Sequence, residues 1–405
     1  MDWNIYATFS PFFAGQFFPA ESRTAALLSA LAVFAVGFLM RPIGGAVLGS
    51  YCDRHGRMAG LTLTVAFMAG ASLVIAICPA YTSIGAAAPV TLLVARLVQG
   101  FSNGGEFGAS SAFLIEAAPP DRRGFFGSWQ QVTVSASHIV VSGLATALVF
   151  LLPSQSMYAW GWRVAFAVGG LLGLVGLWLR TSVEESDVFL SQRRTERVAG
   201  ERRVATSPLW MLLRHHRRAA ARVVGITIAG TMTYYIWITY MAVYAHVATG
   251  IPLAQALLAN TITIIAFTCA IPFGGILSDR VGRRPTLLAF SGGFALLAWP
   301  AFHFMRDSFW NVLGINLIGA ALLVGYSANC AVVMAEQFPT DVRTTGIAFP
   351  YAIAVAVFGG TAPYITTWLS VHHATDWTAL YVIGASLASF AVYAAMPETN
   401  RAELA

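Results

Sequence analysis

Five polar residues interrupt one otherwise apolar run of this 405-residue chain: Arg96, Gln99, Asn103, Glu106 and Ser110. They recur every three or four residues, so on a helix they share one face. Charge at membrane depth is costly and persists where it meets a partner, water or a ligand. Two chemistries follow: a satisfied interhelical ion pair, or a path along which substrate and proton move. Arg96 and Glu106 lie about 15 Å apart along a helix axis, too far to pair with each other. Arg96 therefore needs a partner from another helix. Gly100, Gly104, Gly105 and Gly108 would let such neighbours approach closely.

A second run repeats the pattern with Gln131, Ser135, His138, Ser142 and Thr146 on one face. His138 falls near the bilayer middle by residue count, where a lone His is either a hydrogen-bonded structural side chain or a proton site. Later in the chain Thr231, Tyr234, Tyr235, Tyr326, Asn329 and Tyr351 are candidates for an opposite wall. Tyr also serves as packing or as an interface anchor, so each is weak evidence by itself. There is no nucleophile triad, no phosphate loop and no His/Cys/Asp cluster at metal-ligand spacing. The expectation is no catalytic residue, no metal and no enzymatic activity. The four cysteines (Cys52, Cys78, Cys269, Cys330) read as small packing residues.

The elements that must hold these residues are membrane helices. The chain is 57% hydrophobic and 10% charged, with a mean hydropathy of +0.67, which excludes an ordinary soluble domain. About twelve apolar runs are long enough to span a bilayer of roughly 30 Å. They cover 2–19, 24–49, 59–78, 87–117, 125–152, 162–180, 222–246, 254–277, 285–305, 309–337, 345–369 and 377–396. The one long polar segment, 181–221, separates six runs from six and carries Arg193, Arg194, Arg197, Arg202, Arg203, Arg214, Arg217 and Arg218.

Every basic residue is Arg, and the placement is one-sided. Arg54, Arg57, Arg122, Arg123, the central segment, Arg280, Arg283, Arg284, Arg343 and Arg401 fall on one side, against Arg23, Arg163 and Arg306 on the other. The positive-inside rule puts the first side and both termini in the cytoplasm. That distribution argues against nucleic acid as the partner of a net charge of +6. The Arg-rich segment reads as a topology anchor, with 208–218 lying flat at the interface.

Two motifs occur twice. Gly49-Ser-Tyr-Cys-Asp53-Arg54-His-Gly56-Arg57 returns as Gly275-Ile-Leu-Ser-Asp279-Arg280-Val-Gly282-Arg283, at an offset of 226. Glu116-Ala-Ala-Pro119-Pro-Asp121-Arg-Arg123 returns as Glu336-Gln-Phe-Pro339-Thr-Asp341-Val-Arg343, at an offset of 220. Two motifs at nearly one offset imply two six-helix halves related by an axis along the membrane normal, the architecture of a major facilitator transporter. The expected fold is thus all-α, twelve helices in two halves (1–180 and 222–405) around a central cavity.

The chain resembles the metabolite:proton symporters of the major facilitator superfamily. The resemblance rests on Asp2-Trp-Asn-Ile-Tyr6, Phe17-Phe-Pro19, Arg41-Pro-Ile-Gly-Gly45, Asp53 to Arg57, Arg96-Leu-Val-Gln-Gly100 and Gly104-Gly-Glu106. It continues through Trp160-Gly-Trp-Arg163, Leu277-Ser-Asp-Arg280, Gly282-Arg-Arg-Pro285, Glu336-Gln-Phe-Pro339 and Phe358-Gly-Gly-Thr-Ala-Pro363. Within the family the likeness is to 2-oxoglutarate permeases, through Val33 to Pro42 and Gly124-Phe-Phe-Gly-Ser. In related proton-coupled sugar porters an acid of helix one pairs with an Arg of helix four, which points to Asp2 for Arg96. Family members carry residues ahead of the Asp2 position. A helix from Asp2 to about Phe18 is on the order of 25 Å long, short of a crossing. Asp2 belongs mid-membrane if residues precede it and at the interface if none do.

What the resemblance implies is a proton-coupled importer of a small organic anion, a multi-pass monomer of the plasma (inner) membrane whose only coupling agent is the proton. A carboxylate facing Arg96 is stable ionised and paired, or protonated and released. An anion arriving at Arg96 would compete for the guanidinium and load a proton with itself. The substrate and proton pathway is expected to comprise Asp2, Tyr6, Arg96, Gln99, Asn103, Glu106, Gln131, His138, Tyr234, Tyr235, Tyr326, Asn329 and Tyr351, with Arg41 as a second cation for a dianion. The repeated motifs suit a cytoplasmic latch built from Asp53, Arg54, Arg57, Asp279, Arg280 and Arg283, extended by Glu116 with Arg123 and Glu336 with Arg343. Alternatives are a symporter for shikimate or for a zwitterion such as proline or a betaine, which would want an aromatic cage. A drug:proton antiporter would carry antiporter signatures in helix five, which are not seen, and a transport-dead sensor would carry a long cytoplasmic extension.

Overall fold

The computed structural model describes residues 1–18, 23–180, 207–362, 365, 366, 369 and 375–400. The side chains of Asp2 and Arg57, and the Arg-rich stretch 181–206, lie outside the described residues. The described residues are helical throughout, without strands. The first half contains α1 (Asp2–Phe17), α2 (Arg23–His55), α3 (Arg57–Ile77), α4 (Ala87–Glu116), α5 (Arg123–Leu151) and α6 (Trp162–Arg180). The second half contains α7 (Arg217–Tyr234), α8 (Leu253–Val281), α9 (Arg283–His303), α10 (Phe309–Ser327), α11 (Arg343–Ala354) and α12 (Thr375–Ala395).

Three helices continue past those bounds. A π-helical turn, Tyr235–Tyr240, carries α7 into Met241–Thr249, and another, Val355–Gly359, extends α11. Cys330–Ala335 prolongs α10. Ten described helices are long and apolar enough to cross a membrane. The 16-residue α1 and the polar-centred α4 are not among them. The seventh apolar run begins earlier than its hydropathy suggested, at Arg217, after a separate short helix, Pro208–His215. Arginines extend a helix readily once its apolar part is packed, because they are good helix formers.

Small residues set the spacing. A Cβ on Gly100 would lie 2.0 Å from the Gly37 carbonyl oxygen, and one on Gly104 2.0 Å from that of Arg41, so α4 rests directly on the α2 backbone. Gly108 performs the same role across the boundary, against Thr344 and Ala348 of α11. One buried apolar cluster gathers α1 to α6 around Phe9, Phe13, Trp162 and Phe166. Another fills the second half around Trp237, Phe290, Phe294 and Tyr393, and reaches Ala112 and Ile115 of α4. The halves meet chiefly where α11 packs on α2 and α4, and where α8 packs on α5.

Candidate functional site

At the end of the bundle that carries the repeated motifs, each Asp caps a helix that begins in the other half. Asp53, near the end of α2, accepts from the backbone N–H groups of Thr344 (3.0 Å) and Thr345 (2.9 Å) and from the Thr345 hydroxyl (2.7 Å). Asp279, near the end of α8, accepts from the N–H groups of Gly124 (2.8 Å) and Phe125 (2.9 Å). Both sets of donors sit in the first turn of a helix, where N–H groups lack intrahelical partners and the dipole favours an anion. The chain then reverses through Gly56 (φ 115°) and Gly282 (φ 111°), backbone conformations that side-chain-bearing residues avoid.

The acids beside these caps are arranged less symmetrically. Arg343 donates to Glu116 at 2.8 Å, with both side chains fully buried, and also to the Thr340 hydroxyl at 3.1 Å. Arg283 donates to Asp279 at 2.7 Å and lies 3.7 Å from Glu336. Glu336 also accepts from the Thr399 hydroxyl at 2.6 Å and is within electrostatic reach of Arg123. The pairs expected from the sequence, Glu116 with Arg123 and Glu336 with Arg343, stay within one motif; the structure also joins the motifs across the boundary, Glu116 to Arg343 and Glu336 within electrostatic reach of Arg123. The repeat axis brings the end of α4 against the start of α11 as well as against its own continuation, α5. Arg54 and Arg280 have exposed side chains at this end.

A residue that the sequence reading passed over completes the network. Glu398 accepts from the N–H groups of Arg283 (2.9 Å) and Arg284 (3.0 Å) in the first turn of α9. Asn400 donates to the Asp279 carbonyl at 3.2 Å. Burial raises the Glu398 carboxyl, but its bonds from the N–H groups of Arg283, Arg284, Asn400 and Thr399 outweigh that and hold it below its ordinary value. Glu336 goes the other way: burial pushes it up, and Arg283, Thr399 and Arg123 offset this only in part.

In the middle of the bundle, Arg96 is fully buried. Its Nη1 donates to Gln99 at 2.6 Å, and Gln99 in turn donates to Ser72 of α3 at 2.8 Å. Its guanidinium lies 4.2 Å from the Trp3 ring, 4.1 Å from Tyr6 and 5.2 Å from Phe34. The sequence reading expected Arg96 to open on a central cavity, and in this conformation aromatic rings wall it off instead. Tyr6 is buried too, donating its hydroxyl to the Ala30 carbonyl at 2.9 Å. Trp3 also holds Arg41, whose guanidinium is 4.2 Å from the same residue's ring and 4.2 Å from Phe38. The Trp3 Nε1 and Arg41 Nε have no hydrogen-bond partner among the described residues. Asp2, the expected partner of Arg96, has no described side chain.

The remaining candidates divide into two groups. Asn103 and Glu106 are half-buried along α4, and Gln131 is buried on α5. His138 is half-buried, its Nδ1 3.1 Å from the Val134 carbonyl and its ring 6.3 Å from Tyr234. The Tyr234 phenol lies beside Ser135 and Gln131, and Tyr235 faces Phe38 at 6.0 Å, so α7 meets both α5 and α2. Tyr351 of α11 stacks on Phe107 of α4 at 3.9 Å with 10° between the planes. Tyr326 and Asn329 make their described contacts deeper in the second half, with Tyr326 in electrostatic reach of Tyr351. Tyr326 fills the space beside Gly230 and Phe290, and Asn329 donates to Thr286 (3.2 Å) and to the Gly325 carbonyl (2.7 Å), so both belong to the interior of the second half. Trp3 and Phe107 were missed because an aromatic in an apolar helix carries no periodic signal of its own.

The profile of the Major Facilitator Superfamily matches residues 1–349 and 226–404. The chain belongs to the Major Facilitator Superfamily. Among its relatives is the alpha-ketoglutarate permease of Escherichia coli (strain K12), 37% identical over 366 residues, which cover 90% of this chain and 82% of that one. A citrate-proton symporter of Salmonella typhi is 33% identical over 370 residues, covering 91% and 83%. The proline/betaine transporter of the same Escherichia coli strain is 32% identical over 379 residues, covering 91% and 74%. The solved structure of the proton:xylose symporter XylE superposes on 100% of this chain and 97% of its own, with a TM-score of 0.77 at 20% identity, and it speaks for the fold alone. This member of the superfamily is a multi-pass membrane protein, and the resemblance to metabolite:proton symporters, 2-oxoglutarate permeases in particular, is borne out by these relatives.

Proposed function

We propose that this superfamily member is a proton-coupled symporter that imports a small organic anion, 2-oxoglutarate or a related di- or tricarboxylate, by alternating access. The observation that carries this reading is the pair of guanidinia, Arg41 and Arg96, each 4.2 Å from the Trp3 ring. Two fixed cations in a core of low dielectric suit a ligand with two carboxylates. Arg41 is the nearer to the boundary between the halves, with electrostatic reach to Tyr351. The first carboxylate is therefore assigned to Arg41, and Arg96, behind Trp3, to the exchange between substrate and a proton-bearing acid, with Asp2 the candidate. The carboxylate-capped helix ends form the latch that parts when the protein opens toward the cytoplasm. The one-sided Arg distribution supports a cytoplasmic position for that latch and for both termini.

A zwitterionic substrate is the second reading, favoured by the rings of Trp3, Phe38, Tyr6 and Phe34 around the same guanidinia. Proteoliposomes decide between them. Labelled 2-oxoglutarate, citrate, shikimate and proline are offered with and without an inward proton gradient. The expected outcome is carboxylate uptake that collapses with a protonophore and with Arg41→Ala or Arg96→Ala. Uptake indifferent to the gradient would sink proton coupling, and saturable proline uptake without 2-oxoglutarate uptake would move the assignment to the zwitterion.

A further inference from the structure

The helix Pro208–His215 is a short element with two unlike faces. Pro208 and Leu212, one turn apart, are buried, and Leu212 joins the core of the second half. Trp210 and Leu213, on the opposite face, are 47% and 53% exposed. Arg214, one turn beyond Trp210, lays its guanidinium over that ring at 4.7 Å. The chain then turns at His216 and enters α7 through Arg217, Arg218 and Arg222, all exposed. A large aromatic and a Leu held outward beside a run of arginines is costly in bulk water. The combination is favourable at the depth of lipid headgroups, where indole rings settle and phosphates meet arginine.

The position of the helix matters as much as its composition. It packs against α2 of the first half, and against α7, α11 and the turn Thr340–Val342 of the second. Asp53 ties α2 to the first turn of α11. The short helix thus touches both elements joined by that carboxylate cap, and it lies across the line along which the halves separate.

We propose that Pro208–His215 is a clip operated by anionic phospholipid. Trp210 and Leu213 enter the interface, Arg214, Arg217 and Arg218 engage headgroup phosphates, and the seated helix holds α2 against α11, favouring the conformation closed at this end. Zwitterionic lipid satisfies the rings without neutralising the arginines, so the clip is looser there. The chemistry shared with a free phosphate ion is the Arg–phosphate contact; what distinguishes lipid is the simultaneous demand for an apolar bed under Trp210 and Leu213.

The test is hydrogen–deuterium exchange of the full chain in nanodiscs of phosphatidylcholine alone, of phosphatidylcholine mixed with phosphatidylglycerol, and of phosphatidylcholine with added inorganic phosphate. Amides of Thr344 and Thr345 are expected to exchange at least about five-fold more slowly with phosphatidylglycerol, the effect of one arginine's worth of attraction. Phosphate alone should leave them unchanged. The triple variant Trp210→Ala/Leu213→Ala/Arg214→Ala is expected to lose the difference while keeping the exchange of α9 and α12, which shows that it is folded. Should that variant fail to fold, Arg214→Gln alone, at an exposed position, should shrink the difference. Equal protection in both lipids, equal protection by free phosphate, or an undiminished difference in the variants overturns the proposal. No substrate or proton gradient enters this measurement, so its failure leaves the transport reading standing, and the reverse also holds.

Discussion

The carboxylate cap between the halves exists in two copies that differ in what stands beside them. Asp53 and Asp279 each accept two backbone N–H groups at the start of a helix in the other half. Asp53 accepts a further cross-half bond from the Thr345 hydroxyl, and Asp279 accepts from Arg283 of its own half; the side chain of Arg57, which stands where Arg283 does in the repeat, lies outside the described residues. Glu116 meets Arg343 across the boundary in full burial. Glu336 is divided among Arg283 and Thr399 of its own half and the field of Arg123 opposite. The helix cap is thus the part that symmetry preserves. Each buried acid faces an Arg of the other half, Glu116 at 2.8 Å from Arg343 and Glu336 within electrostatic reach of Arg123, and Glu336 is braced in addition by Arg283 and Thr399.

Breaking the cross-half bond should have the largest effect. Glu116→Gln leaves Arg343 buried opposite a neutral amide, a loss of about 3–5 kcal/mol for a buried pair stripped of one charge. The expected outcome is a lowered melting temperature and cysteine accessibility rising along α4 and α11 at this end. An unchanged melting temperature would mean that the pair contributes nothing. Asp53→Asn comes next, since a carboxylate bonding to N–H donors contributes about 1.5–3 kcal/mol. It should open the latch more than Asp279→Asn, measured by the same accessibility. If the two variants are equal, the extra bond from the Thr345 hydroxyl adds nothing to the cap.

Smaller again is the ring stack above the latch. Phe107→Ala removes a contact of about 0.5–1.5 kcal/mol beyond its buried area, so transport should leak or slow with little change in melting, while Tyr351→Phe keeps the stack and should be nearly silent in a melting assay. The smallest effect is in pH. Glu336 holds its proton to higher pH in the folded protein than in the unfolded chain, so its contribution to stability falls as pH rises from the ordinary carboxylate value through the raised one. Glu398 is held low and has the opposite sign: its contribution is present above the ordinary value and is lost as pH falls through the depressed one. Glu336→Gln should remove the first slope and Glu398→Gln the second, read as melting temperature against pH.

Much of this architecture is legible in the sequence, because a motif that recurs at a fixed offset names its symmetry mate. Asp53 with Asp279, and Glu116 with Glu336, could be placed as equivalents before any coordinates. The cross-boundary contact of Glu116 with Arg343 could not, since correspondence says which residues are alike and not which of them face one another. Arg96 shows a second limit. Helical periodicity placed it with Gln99 on one face, but the side chains that enclose it, Trp3, Tyr6 and Phe34, come from α1 and α2, and apolar rings on those helices look like any core. Tyr326 and Asn329 were polar residues in an apolar run, a pattern equally produced by a hydrogen bond to a neighbour such as Thr286. Glu398 gave only the faint signal of an acid after Pro397, and its work depends on where α9 happens to begin.

The π-helical turns Tyr235–Tyr240 and Val355–Gly359 have a consequence for how these helices tolerate change in length. A wide turn of this kind takes up a surplus residue as a local bulge within an otherwise regular helix. Removing one residue from an ordinary transmembrane helix swings everything beyond it by about 100° and is ruinous. Excising Thr239, an exposed member of the first turn, should instead relax the bulge to plain α-helix and leave both flanks aimed as before. Shortening is the edit these two places are built to survive.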